Sequence, residues 1–275
     1  MRSRPVLFGR QRIFFWRFTL NQVVHLMPHT IKAFALSDVG LVRQNNEDAW
    51  EILPNLNFFI LADGMGGHQA GEIAANEAVS NLAEMMSRKT QAEYDRMSTK
   101  EVEECLKQAI IHVNAHIFKM GRANPDLRGM GTTLCAIFFH PKGVIVAHVG
   151  DSRIYRLHEE ILQLLTRDHS LFCELVDQGQ IAQDQANEFL YGNIITKAIG
   201  TEPKVDPAVK TIEAVVGDVY LMCSDGLSDL LNINEINEIV ATSVDFAETA
   251  ENLVSFANKR GGRDNITVVL AKITS

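Results

Sequence analysis

Apolar runs in this chain repeatedly end on a carboxylate beside a glycine or another small residue. Asn57 to Asp63 reads NFFILAD and meets Gly64. Asp151 follows HVG, Asp225 lies in MCSDG and Asp264 in GRDN. Glu47 and Asp48 close SDVGLVRQNNED, a segment that opens with Asp38 and Gly40. Such runs, bounded by turn residues, fit buried strands. An acid at the end of each can reach a shared cavity, and glycine lets backbone or ligand come close. A single Asp-Gly reads as a turn. Repeated at one strand end after another, with Arg43 nearby, the pattern demands a fold that gathers those ends. Carboxylates clustered without lysine partners repel one another unless a hard cation lies between them, and oxygen-only ligation suits Mg²⁺ or Mn²⁺.

The rest of the pattern fixes the fold class. Strands are expected near 32–37, 49–53 and 57–63. Ala75, Val79, Leu82 and Met86 then recur at helical spacing. Ser98 and Glu101 form a capping box that opens a second helix, with Val102, Leu106, Ala109, Val113 and Ile117 on its apolar face. Two helices in succession followed by strands point to segregated layers rather than βαβ alternation. Residues 131–166 read as a meander of antiparallel hairpins: Thr132–Phe139, Gly143–Val149, Arg153–Leu157 and Ile161–Leu165. Residues 168–192 read as polar and helical. Strands follow near 205–213 and 218–223. A helix over about 245–259 opens at Asp245, and Ile266–Ile273 closes the chain as a strand. Two antiparallel sheets with helix pairs outside them make an α+β architecture.

Composition excludes several classes. With 46% hydrophobic and 22% charged residues in 275, the chain is an ordinary globular protein, neither disordered nor fibrous. Its net charge is −8. Residues 1–30 hold five arginines and no acid, so the remainder carries −13. An acidic body is a poor nucleic-acid binder, because phosphate contacts rely on a basic surface. The basic residues 1–30 are expected to be a disordered extension or a mis-assigned start, and residues 31–275 the folded domain. No run of 18 apolar residues is present, so no transmembrane helix is expected. Cys105, Cys135, Cys173 and Cys223 form no C-x-x-C pair and read as reduced core residues, which suits the cytoplasm. His112 and His116 have zinc spacing on a helix, but HVNAH lacks the glutamate of H-E-x-x-H, so they read as a helix-surface pair.

Six motifs in order carry a resemblance. They are Ser37-Asp38-x-Gly40-x-x-Arg43-x-x-Asn46-Glu47-Asp48, Ala62-Asp63-Gly64-Met65-Gly66-Gly67-His68, Gly131-Thr132-Thr133, Gly150-Asp151-Ser152-Arg153, Ser224-Asp225-Gly226-Leu227 and Asp264-Asn265-Ile266-Thr267. Together they resemble the metal-dependent protein phosphatases (PPM, or type 2C), in the bacterial serine/threonine branch, over about residue 31 to the end. The resemblance implies an αββα sandwich with a dinuclear metal site at one edge of the two sheets. It implies that Asp63 bridges two Mn²⁺ or Mg²⁺ ions, that the Gly64 carbonyl binds one, and that Asp225 and Asp264 hold the other. Glu47 and Asp48 complete the shell or bind metal-bound waters. Asp151 matches the acid of a third, weaker site. Arg43 grips the substrate phosphate, and Asp38, Asn265 and His68 support. Animal members carry a histidine directly after the Asp-Gly pair, where Met65 stands here. The proton for the leaving oxygen is therefore assigned to water, with His68 as the alternative. His169, in DHS, opens a flap over about 168–193.

The expected function is metal-dependent hydrolysis of phosphoserine and phosphothreonine in proteins, by attack of a metal-bridging hydroxide. Two cations about 3.5–4 Å apart acidify a water and clamp an in-line displacement. An arginine fork fits phosphate oxygens better than lysine. The alternative is a catalytically weak relative that binds phosphoproteins as a regulator. A phosphorylated kinase or its target is the expected partner, and a monomer the expected state.

Overall fold

A computed structural model describes residues 30–66, 70–182, 194–242 and 244–274. Five strands form one antiparallel sheet in the order β1 (Ile31–Asp38), β11 (Ile266–Ile273), β10 (Val219–Cys223), β7 (Arg153–His158) and β8 (Ile161–Leu164). The second sheet runs β2 (Asp48–Leu53), β3 (Phe58–Met65), β5 (Leu134–His140), β6 (Gly143–Val149) and β9 (Ala208–Ile212), with the short β4 (Gly131–Thr132) pairing with the end of β3. Helices α1 (Ala70–Met86) and α3 (Thr99–Ala123) cover the second sheet, and α6 (Ile233–Ala241) and α7 (Phe246–Lys259) cover the first. Among the described residues three short α-helices are also present: α2 (Gln91–Arg96), α4 (Leu171–Asp177) and α5 (Asp225–Ser228). This is the αββα sandwich expected. Among the described residues no helix is long and apolar enough to cross a membrane.

The continuous apolar runs are explained by burial on both faces. Successive strand residues point to opposite sides. In β3, Phe58, Ile60 and Ala62 face the helices, whereas Phe59 and Leu61 face the other sheet. β11 divides likewise, with Val268 and Leu270 toward α7, and Val269 and Ala271 toward the sheet interface. At that interface Phe59 packs edge to face on Phe139 of its own sheet, with ring centroids 5.5 Å apart, and Phe139 packs likewise on Tyr220 of the facing sheet at 5.3 Å.

Register gathers the acids. Asp48 at the start of β2 sits opposite Asp63 near the end of β3. Asp38 at the end of β1 sits opposite Ile266, just past Asp264. Cys223, two residues before Asp225, sits opposite Arg153, two residues after Asp151. All these ends therefore lie at one edge of the sandwich. At the opposite edge Ile31 pairs with Ile273, and Thr274 N donates to Thr30 O at 2.8 Å.

Two expectations change. Over the described part of the expected helical segment, residues 168–182, the helix is α4 alone. Gly179 adopts φ +69°, a left-handed turn that ends a helix, and residues 183–193 lie outside the described residues. The short helices α2 and α6 were not expected, although both open with capping boxes, Thr90–Glu93 and Asn232–Glu235. Residues 1–29, including nearly all of the basic extension, also lie outside the described residues.

Candidate active site

At the gathered edge lies a cavity of about 210 Å³ lined by Arg43, Glu47, Asp63, Gly64, Asp151, Asp225 and Asp264, with Met65, Thr133 and Ile195 completing its wall. Every expected cavity residue on this list is brought together. Asp48, Asp38 and Asn265 stand outside it, and His68 lies outside the described residues. A smaller cavity of about 60 Å³ adjoins it, where Asp151 and Asp225 meet Asp229, Asp168 and Arg153.

The backbone around Asp63 is held by the hydroxyls of Thr132 and Thr133. Asp63 N donates to Thr133 Oγ1 at 2.9 Å, while Asp63 O accepts from Thr133 N and Thr132 Oγ1, both at 2.8 Å. Gly64 is required by close approach: a Cβ there would come within 2.1 Å of Gly71 O and 2.7 Å of Glu47 O. Asp48 stands behind Asp63. Its Oδ2 accepts from Thr267 Oγ1 at 2.6 Å and Ser224 Oγ at 2.8 Å. Ser224, Thr267 and Thr133 each lie in or beside a motif, and that adjacency was the available signal.

The loops are tied by two supporting residues. Asp38 Oδ1 accepts from Gly40 N at 2.9 Å and Asn258 Nδ2 at 3.2 Å, and so fixes the turn that carries Arg43. Asn265 Oδ1 accepts from Glu47 N at 2.7 Å, and its Nδ2 donates to Val39 O and Asn45 O at 3.0 and 2.9 Å. Arg43 Nη2 donates to Asp264 Oδ2 at 2.7 Å, so the expected phosphate grip and an expected metal ligand pair with each other. Elsewhere, His116 Nε2 lies 3.3 Å from Glu77 Oε2 on α1, so the His112–His116 pair is not a joint site.

Electrostatics mark the cavity as short of positive charge. Burial, then the neighbouring Asp48, Asp225, Asp151 and Asp264, raises the Asp63 carboxyl well above its ordinary value. Asp225 is pushed up to about 8, first by burial and then by Asp151 and Asp229. Burial pushes Asp151 up to about 6, with Asp168 adding to it. Asp48 also rises to about 6 by burial, against the lowering effect of its hydroxyl donors. Glu47 rises by burial, opposed by Arg43.

These residues fit hard divalent cations. Asp48 Oδ1 and Asp151 Oδ1 are buried without a hydrogen-bond partner. The donors are oxygens throughout, and like charges at this density are stable only when protonated or offset by cations. Among the described residues no three acids are already drawn into a closed metal cluster.

The start of the 168–182 segment is clamped to the strands beside it. Arg153 binds Asp168 through two nitrogens, at 3.0 Å from Nε and 2.6 Å from Nη2. His169 stacks on His148, with ring centroids 4.8 Å apart, and its Nδ1 accepts from Gly150 N at 3.1 Å. Burial, reinforced by His148, lowers His169 to about 4, so the ring is neutral and its Nδ1 lone pair free to accept at neutral pH.

Comparison with known proteins agrees with this geometry. A family model described as Protein phosphatase 2C matches residues 40–271. The chain is similar to the serine/threonine phosphatase stp of Listeria monocytogenes, 37% identical over 239 residues, covering 86% of this chain and 93% of that one. Its fold is similar to the serine/threonine phosphatase PstP/Ppp of Mycobacterium tuberculosis, with a TM-score of 0.81 and 36% identity over 89% of this chain and 99% of that one. The PstP catalytic domain solved with two manganese ions superposes with a TM-score of 0.77 at 36% identity, over 89% and 99% of the two chains.

Proposed function

The chain belongs to the protein phosphatase 2C family and is a serine/threonine protein phosphatase, and from that premise we propose how its own residues do the work. As a metal-dependent phosphatase it has a two-metal site. Asp63, the Gly64 carbonyl, Asp225 and Asp264 would hold the two ions, Mn²⁺ or Mg²⁺. Glu47 and Asp48 would complete the surroundings, and Asp151 with Asp225 would serve a third, weaker site in the adjoining cavity. The observation that carries the assignment is the mutual raising of the carboxyls around one cavity, with buried oxygens of Asp48 and Asp151 left unpaired.

When bound, the two cations supply a water acidic enough to ionise near neutral pH and positive charge for the phosphoryl oxygens. Arg43 orients the substrate. A guanidinium has five N–H donors, and the bond to Asp264 uses one, so the fork can hold a phosphate without leaving Asp264. Asp264 in turn fixes that fork at the cavity wall. Met65 brings no acid to the leaving oxygen, so solvent water donates that proton. Thr133 and Thr132 hold the Asp63 backbone, and Ser224 and Thr267 aim Asp48.

The substrate is a phosphorylated protein, which we take to be a serine/threonine kinase or its target. Four free cysteines support work in a reducing cytoplasm, the acidic body disfavours nucleic acid, and we take the chain to be a monomer. The test is phosphate release from a phosphothreonine peptide in EDTA, Mg²⁺ and Mn²⁺, with Asp225→Asn beside the native chain. Release that requires metal and is lost in the variant is expected. No release from the folded native chain with either metal would overturn the reading and leave the phosphoprotein-binding alternative.

A further inference from the structure

One polar side chain interrupts the apolar face of α3. Asn114 is buried among Ile110, Val113 and Ile117, where an apolar residue would be the ordinary choice. A buried amide is costly unless satisfied, and asparagine is a weak helix former. Both polar ends of Asn114 go to one distant segment. Its Oδ1 accepts from Gly200 N at 2.8 Å, and its Nδ2 donates to Glu202 O at 3.0 Å. Gly200 has φ +87°, and a Cβ there would come within 2.3 Å of Ile117 Cγ2, so this backbone lies directly on the helix.

The segment 194–202 runs from that anchor to the cavity. Ile199 exchanges two backbone hydrogen bonds with Thr132, at 3.0 and 2.8 Å. Thr196 N donates to His169 O at 2.8 Å, Ile195 pairs with Ser170, and Ile195 lines the cavity wall with the exposed Ile194 beside it. The segment is a strap, fixed to α3 at one end and forming part of the cavity mouth at the other. The strap makes its bonds to Thr132 rather than to Asp63, whose backbone is also held by Thr133 through both its N–H and its hydroxyl.

We propose that Asn114 is a positioning residue for protein substrates: it holds the 194–202 strap so that Ile194 and Ile195 receive the polypeptide on either side of the phosphorylated residue. A small aryl phosphate has no such flanking chain and does not use the strap. The inference rests on the phosphatase reading of the cavity.

The experiment compares the native full chain with Asn114→Ala, on a phosphothreonine peptide and on p-nitrophenyl phosphate. Manganese affinity by calorimetry and amide exchange by mass spectrometry accompany the kinetics. The expected result is a peptide KM raised on the order of tenfold with kcat little changed, the signature of lost uniform binding. Exchange should quicken over 195–202. Activity on p-nitrophenyl phosphate and manganese affinity should stay as in the native chain. Should the alanine variant fold poorly, Asn114→Leu fills the space while removing the same two hydrogen bonds, and the same split is expected of it. Equal losses on both substrates, weakened manganese binding, or an unchanged peptide KM would overturn the proposal. Inactivity of the native chain on both substrates would instead break the phosphatase reading beneath it.

Discussion

One face of β3 passes through two chemistries. Phe59 and Leu61 point into the dry interface between the sheets, and Asp63, on the same side two residues on, points into the cavity. Only about 7 Å of strand separates Leu61 from Asp63. Over that distance packing gives way to carboxylates that raise one another's pKa. The interface supplies rigidity and the edge supplies an unfavourable charge cluster that a rigid frame can hold. Stability and activity are therefore separable on a single strand.

The sharpest break is Asp225→Asn. It should lower kcat/KM on the order of 10³, because a two-metal clamp supplies several kcal/mol. In EDTA its melting temperature should not fall, since the amide takes the place of a buried carboxyl that is costly to ionise. Unfolding of this variant would sink the separation. Leu61→Ala should do the reverse, costing about 2–5 kcal/mol of stability as a buried cavity forms. Manganese affinity of the folded fraction, read by calorimetry, should be unchanged. Arg43→Ala should raise the peptide KM roughly tenfold, with a smaller change in kcat. An unchanged KM would remove Arg43 from phosphate binding.

The last test is of pH, and it needs no substitution. The edge carboxyls have folded values above the unfolded 3.8: about 6 for Asp48 and Asp151, about 8 for Asp225. The folded state thus binds more protons than the unfolded state between those limits, and stability in EDTA falls as pH rises through them. Calorimetric melting should show a decline on the order of ten degrees from about pH 6 to about pH 8.5, since one pKa unit is about 1.4 kcal/mol and 1 kcal/mol shifts a domain of this size by roughly 2–4 °C. Saturating Mn²⁺ should flatten it, and Asp225→Asn should reduce it. A metal-free melting temperature that rises with pH over this span would contradict the assigned burial.

How far the sequence was readable follows the same division. The strands carrying Asp63, Asp151, Asp225 and Asp264 were legible because burial on both faces leaves a continuous apolar run with an abrupt acid. Their convergence followed from the motifs, and the register accounts for it. The hydroxyls of Thr133, Ser224 and Thr267 were not legible as positioning groups, because a threonine packed in a strand and one aiming a carboxylate look alike in sequence. Asn114 was invisible for another reason: its partners, Gly200 and Glu202, lie 86 and 88 residues away along the chain. The α4 region misled because Gln178 and Gln180 suit a helix, while the left-handed Gly179 between them ends it.

The pairing of Thr30 with Thr274 has a consequence for anything joined to this domain. Both ends leave from one doorway, at the tip of the sandwich opposite the acids, with β1 spanning roughly 25 Å between doorway and catalytic rim. A partner module tethered there, at either terminus, starts its reach from the back of the enzyme.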